Sequence, residues 1–190
     1  MQPLSPARTA LIVIDMQKGF EEIAARGLHR NNPDAEEAVE SLLGLFRERG
    51  GRIIHIRHAS TDPNSVFRPD RPGFAVMDCA RERPGEAVVV KSVNSAFIGT
   101  DLEGMLRRIG VDTVLIVGAT TNHCVETTTR TAGNLGFRTL LVRDAAFTFE
   151  RTGPDGDRHM AEDIHAMSLS NLNGEFAEIV RTDEVFASLG

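Results

Sequence analysis

Six short apolar runs divide the chain: Thr9–Ile14, the Ile53, Ile54 and Ile56 stretch within Arg52–Arg57, Ala87–Val90, Val114–Val117, Thr139–Val142 and Ala177–Val180. Each is rich in β-branched residues and bounded by polar or glycine positions, which suits a buried strand. Between them the apolar positions change to helical spacing. Ala38, Leu42, Leu45 and Phe46 mark a helix from Ala35 to Arg49, preceded by Asn32-Pro33-Asp34 and stopped by Gly50-Gly51. Further helices are expected over Asp101–Ile109, Arg158–Leu172 and Asp183–Leu189, the second of them entered from the turn Gly153-Pro154-Asp155-Gly156.

The segment after Val114–Val117 needs a separate argument. Gly118 breaks the run, and Thr121 or Asn122 can cap a helix that Gly133 and Gly136 end. Thr127, Thr128, Thr129 and Thr131 are poor helix formers. Spacing decides for the helix, because the next apolar run starts about twenty residues on, the length of a crossover between parallel strands. Strands alternating with helices predict an α/β fold, a three-layer α/β/α arrangement with a mainly parallel sheet of about six strands. Ligands of such sheets bind beyond the carboxyl ends of the strands.

Length and composition narrow the class. At 190 residues with 41% hydrophobic residues, a single domain spanning 1–190 is expected. A net charge of −6 argues against a nucleic-acid surface. No apolar run has the length of a membrane span, and no signal-peptide pattern opens the chain. Two cysteines, Cys79 and Cys124, exclude a disulfide scaffold and make a reduced, cytoplasmic protein the expectation.

The strand ends carry the candidate chemistry. The first run ends at Asp15, the third at Lys91, and the fourth leads through one turn to Cys124. A carboxylate, an ammonium and a thiol therefore meet along one edge of the sheet. Cys124 falls in the first turn of its helix, where free N–H groups favour a thiolate. A thiol with a nearby base and N–H donors suits acyl transfer through a thioester. Taken singly, the aspartate reads as a turn cap, the lysine as solvated and the cysteine as packing; their coincidence at three strand ends favours function. Cys79 lacks such neighbours and reads as structural. The polar stretch from Ala59 to Gly85 is long enough to be functional and is expected to set substrate choice, with Arg68 and Arg71 as candidates for gripping a carboxylate.

Two competing motifs fall away. His123-Cys124 followed by Arg130 matches the cysteine phosphatase spacing, but the intervening loop has no glycine and holds Glu126, which repels phosphate. His55 and His58 stand three apart on a strand and point to opposite faces, so no metal site is expected.

Three segments, Ala10 to Gln17, Lys91 to Phe97 and Gly118 to Val125, together resemble the isochorismatase-like cysteine hydrolases, which include nicotinamidases and N-carbamoylsarcosine amidase. The resemblance implies a triad of Asp15, Lys91 and Cys124, a cis peptide between Ala119 and Thr120, and an oxyanion hole from the Thr120 and Cys124 N–H groups. It implies no cofactor here, and a homo-oligomer, dimer or tetramer. His58-Ala59-Ser60 stands where nicotinamidases carry their metal-binding pair, so metal is not implied. Isochorismatases proper cleave a vinyl ether without a cysteine nucleophile, so Cys124 points instead to the C–N bond of a small amide or ureido substrate. Phe20, Phe97, Asn122 and Phe147 are the expected substrate-binding residues. The alternatives are a vinyl-ether hydrolase, or a non-catalytic or redox-sensing protein of the same fold.

Overall fold

The apolar runs become strands of a parallel sheet in the computed structural model, which describes residues 2–189. In chain order the strands are β1 (Thr9–Ile14), β2 (Arg52–His58), β3 (Ala87–Lys91), β4 (Thr113–Ala119), β5 (Arg138–Phe147), β6 (Arg151–Thr152), β7 (Arg158–His159) and β8 (Glu178–Val180). The sheet has six strands in the order β3-β2-β1-β4-β5-β8, all paired in parallel. β6 and β7 form a separate antiparallel hairpin.

Helices α1 (Gly19–Ala25), α2 (Ala35–Glu48), α3 (Leu102–Arg108), α4 (Glu126–Asn134), α5 (Ala161–Leu172) and α6 (Thr182–Ser188) flank the sheet. The period-2 alternation of the strands sorts the core onto two faces. Leu11 and Val13 of β1 join Leu42 and Phe46 of α2 and Val185 of α6 on one side. Ala10, Ile12 and Ile14 join Leu102 and Leu106 of α3, Ala132 of α4 and Leu169 of α5 on the other. Phe46, 1% exposed, pins α2 to the sheet; its truncation to Ala is expected to cost ~3–5 kcal/mol. Among the described residues no helix is long and apolar enough to cross a membrane.

The threonines of α4 find partners that offset their weak propensity. Thr129 and Thr131 donate their hydroxyls to the carbonyls of Val125 and Thr127, each at 2.8 Å. Thr128 Oγ1 accepts the Ala96 N–H at 3.1 Å, and Ser95 donates to Thr131 Oγ1 at 3.0 Å. These bonds stitch α4 to the segment that follows β3, which fixes Cys124 relative to Lys91.

Three departures from the sequence reading concern elements near the carboxyl ends. A helix, α1, forms over Gly19–Ala25 where none was expected. β5 runs on to Phe147 through a register slip: Ile116 pairs with Leu141, but Gly118 pairs with Ala146. Asn32 holds the slip, donating from Nδ2 to the carbonyls of Arg143 at 2.8 Å and Ala146 at 2.6 Å. The helix expected from Arg158 starts at Ala161, because Arg158 and His159 pair with Thr152 and Arg151 across the glycine turn. The last two departures carry residues 147–159 over the end of the sheet.

Candidate active site

The strand order places the site. The chain leaves β1 for β2 and β3 on one side and returns to β4 on the other, so β1 and β4 flank the point where the winding reverses. Asp15 follows β1 and the turn to Cys124 follows β4. Gly118 makes the close approach possible: at φ +115° a Cβ would lie 2.0 Å from the Ile14 carbonyl oxygen. Asp15 is left-handed, φ 49°, a conformation that costs a non-glycine residue of order 1–2 kcal/mol. Its N–H bonds the Ile56 carbonyl at 3.0 Å, and its own carbonyl takes the Gln17 N–H at 2.7 Å.

Past Gly118 the Ala119–Thr120 peptide is cis. The Thr120 carbonyl collects the N–H groups of His123 at 3.1 Å and Val125 at 3.3 Å, leaving out that of Cys124. Residues Thr121–Val125 form a wide π-type turn before α4, with Thr120 at the cap position rather than Thr121 or Asn122. Cys124 remains within that opening turn.

Lys91 reaches across the end of β2 to the other two groups. Its Nζ donates to Asp15 Oδ2 at 2.7 Å and to Cys124 Sγ at 3.2 Å, and approaches His58 Nδ1 at 3.2 Å. Asp15 and Lys91 are each 2% exposed. Asp15 Oδ1 is buried without a hydrogen-bond partner. That oxygen is an open acceptor beside Cys124, whose Sγ otherwise has only Lys91 and a long 3.8 Å contact with Asn94 Oδ1.

Burial pushes the Asp15 carboxyl above its ordinary value, against the pull of Lys91. Burial, and next the Asp15 carboxylate, push the Cys124 thiol up to about 12. This corrects the expectation of a resting thiolate. A helix end contributes only ~0.3–2 kcal/mol, and here it works against burial and an adjacent carboxylate. The resting nucleophile is a thiol beside a base. Burial and then the Lys91 charge lower the His58 pKa, so the imidazole is neutral.

Asp15, His58 and Cys124 could each offer a ligand atom, all within 4.8 Å of one another. The Lys91 ammonium already stands among them as the counter-cation, so this donor set does not fit a metal ion. His55 faces away, as its spacing from His58 requires, and bonds Glu86 at 2.9 Å.

The trio opens into a cavity of about 700 Å³. Of the expected substrate-binding residues, Phe20 lines it, beside Thr120 and Cys124. The other three are not in its lining. Phe97 turns away and stacks on Phe137, centroids 6.1 Å apart. Phe147 is fully buried behind the wall, edge-on to Phe20 at 5.6 Å. Asn122 accepts the Thr148 hydroxyl at 2.5 Å, so Thr148 lines the cavity in its place. Arg68 pairs with exposed Asp70 at 2.8 Å, and Arg71 reaches the Pro63 carbonyl at 3.4 Å; neither lines the cavity.

His58, the last residue of β2, and Phe67 of the loop that follows also line the cavity. Gln17, fully buried, holds the loop down: Oε1 accepts the His58 N–H at 2.8 Å and Nε2 donates to the Phe74 carbonyl at 3.0 Å. The sequence reading also missed Phe149, His123 and Arg151 in the lining. His123 carried a signal, its place beside Cys124. Phe149 and Arg151 carried none, since only the β5 slip and the hairpin bring them over the site.

Known proteins resemble the chain in sequence and in overall fold. The model of the isochorismatase domain matches residues 9–184. An uncharacterized isochorismatase family protein of Bacillus subtilis, YrdC, is 43% identical over 178 residues, covering 94% of each chain. Nicotinamidase 3 of Arabidopsis thaliana is 31% identical over 193 residues, covering 95% of this chain and 88% of its own. Among solved structures, a protein of Chromobacterium violaceum described as a hydrolase of the isochorismatase family superposes with a TM-score of 0.93 at 44% identity, covering 100% of this chain and 98% of its own.

Proposed function

The chain belongs to the isochorismatase family of hydrolases, and from that premise we propose that it cleaves the C–N bond of a small amide or ureido substrate through a thioester on Cys124. The reading rests on one observation above the others. Asp15 has a buried oxygen with no partner, while its second oxygen shares the Lys91 ammonium with Cys124 Sγ.

Asp15 Oδ1 takes the thiol proton as the sulfur attacks the substrate carbonyl carbon. The C=O pair moves onto oxygen, and the Thr120 and Cys124 N–H groups receive the oxyanion. The oxyanion collapses, the C–N bond breaks, and Asp15 passes its proton to the leaving nitrogen. Water then attacks the thioester while Asp15 takes its proton, and that proton returns to the departing thiolate. Lys91 keeps its charge throughout and balances whichever of the carboxylate or thiolate is anionic. Proton transfer from thiol to carboxylate during attack removes the need for a resting thiolate, which burial and the Asp15 carboxylate disfavour.

The test is a panel of small amides and ureido compounds assayed for ammonia release with the wild type and Cys124→Ala. Release by the wild type alone supports the proposal. Equal turnover by Cys124→Ala would move the reading to water activated by Asp15, as in vinyl-ether hydrolysis.

A further inference from the structure

Lys91 carries three N–H bonds on a side chain that is wholly buried, so bulk water reaches none of them. Asp15 Oδ2 takes one at 2.7 Å and Cys124 Sγ another at 3.2 Å. Both of these acceptors change charge in the reaction proposed above. The third acceptor does not. It is His58 Nδ1, at 3.2 Å. An ammonium can only donate, so Nδ1 holds the lone pair and the ring proton sits on Nε2.

The sheet builds this contact. His58 and Lys91 are register partners at the ends of β2 and β3, so their side chains leave the sheet on the same face. Gln17 fixes the His58 backbone on both sides: Oε1 accepts its N–H at 2.8 Å and Nε2 donates to its carbonyl at 3.2 Å. The ring stands edge-on to Phe67, centroids 6.4 Å apart, and the Val93 backbone is its other hydrogen-bond partner. Burial and then the Lys91 charge keep the ring neutral, as an acceptor beside an ammonium must be.

We propose that His58 is a positioning residue, which takes the third N–H of Lys91 and holds the ammonium within reach of both Asp15 and Cys124. As the thiol proton passes to Asp15, negative charge leaves the carboxylate for the attacking sulfur. The ammonium must then serve the second group without having to move. A fixed neutral acceptor allows this. Without it, the shorter contact with Asp15 would draw Nζ away from sulfur. This role rests on the thioester reading above, but its effect on the thiol is readable without turnover.

Two variants carry the test. His58→Leu removes the acceptor, and His58→Asn keeps one, an amide oxygen near the place of Nδ1. The first measurement is iodoacetamide labelling of Cys124 at pH 7, read by mass spectrometry. Against burial and the Asp15 carboxylate, Lys91 favours the Cys124 thiolate. His58→Leu is therefore expected to label ~10-fold more slowly, the effect of one pKa unit, with part of the rate restored in His58→Asn. A merely structural loss would loosen the site and speed labelling. Equal rates in all three proteins, faster labelling in His58→Leu, or a loss that His58→Asn does not recover overturns the role. The second measurement is steady-state kinetics on the best amide. In His58→Leu, kcat should fall ~10–100-fold, as for a lost hydrogen bond to a charged group, while KM changes less. A change confined to KM would make His58 a wall residue and overturn the role. Slow labelling in His58→Leu that His58→Asn recovers, with no amide cleaved, supports the role and sinks the amide reading alone.

Discussion

Strand β3 has a charged carboxylate cluster at each end, half-buried at one and buried at the other, and the two are built to opposite purposes. At its amino end half-buried Glu86 accepts four hydrogen bonds. Arg47 donates to both oxygens at 2.7 and 2.9 Å, and the Arg83 N–H and His55 Nε2 add bonds at 2.8 and 2.9 Å. Burial raises the Glu86 pKa, but these bonds outweigh it and hold it down to about 2. At the carboxyl end Asp15 has one oxygen on Lys91 and one with no partner, and burial prevails, raising its pKa. Saturation makes a structural carboxylate. A single unfilled acceptor makes a base.

The contrast is broken most directly at Asp15. Asp15→Asn keeps the shape but cannot take a proton, so thioester formation is expected to slow by ~10²–10⁴. A single-turnover assay on the best amide measures it; a loss below tenfold would make Asp15 a structural residue like Glu86. The sign of its titration gives a companion test. A raised carboxyl must lose its proton before it can act, so the acid limb of kcat/KM should lie above the ordinary 3.8. Full activity at pH 3.8 in folded protein would contradict this.

Glu86→Gln should show the reverse pattern, with stability lost and turnover kept. Its shift from 4.5 to about 2 corresponds to ~3 kcal/mol at ~1.4 kcal/mol per pKa unit. A depressed carboxyl stabilises the fold above pH 4.5 and loses that contribution as pH falls towards 2. Denaturant melts of wild type and variant at pH 7 and pH 3 should therefore differ most at pH 7. A difference that grows on acidification would reverse the assignment.

A smaller effect separates the two roles of Asp15. Its carboxylate raises the Cys124 pKa, so Asp15→Asn should speed iodoacetamide labelling of Cys124 at pH 7, about tenfold per pKa unit recovered, while turnover falls. Cys79, pushed up to about 12 by burial and nearby glutamates, should label slowly in both proteins. Mass spectrometry of each peptide reads the rates; unchanged Cys124 labelling would remove Asp15 from its environment.

No effect is expected from chelation. Lys91 Nζ stands among Asp15, His58 and Cys124, where a metal would have to sit. Turnover lost in EDTA and restored by zinc would show that a metal displaces the lysine.

The sheet was legible because its strands read as continuous apolar runs, the central β1 and β4 being buried on both faces. Asp15, Lys91 and Cys124 were legible as a group because all follow such runs. What lay outside that logic was harder to see. The strands β6 and β7 have two residues each, too few to show a period, so Arg158 and His159 read as a helix start. Arg151 reaches the cavity only through a register slip held by Asn32, a long-range contact without local pattern. Phe97 belonged to a recognised segment, yet the Ser95 and Ala96 bonds to α4 turn its ring towards Phe137. The thiolate expectation failed because helix position is visible in sequence and burial beside a carboxylate is not.

The central claim is that Cys124 becomes acylated with Asp15 as its base. Intact-protein mass spectrometry after rapid acid quench of the enzyme with a turned-over amide tests it. The account expects an adduct of the acyl mass on Cys124, absent in Cys124→Ala and slow to form in Asp15→Asn. Undiminished turnover by Cys124→Ala with no adduct in the wild type would contradict it.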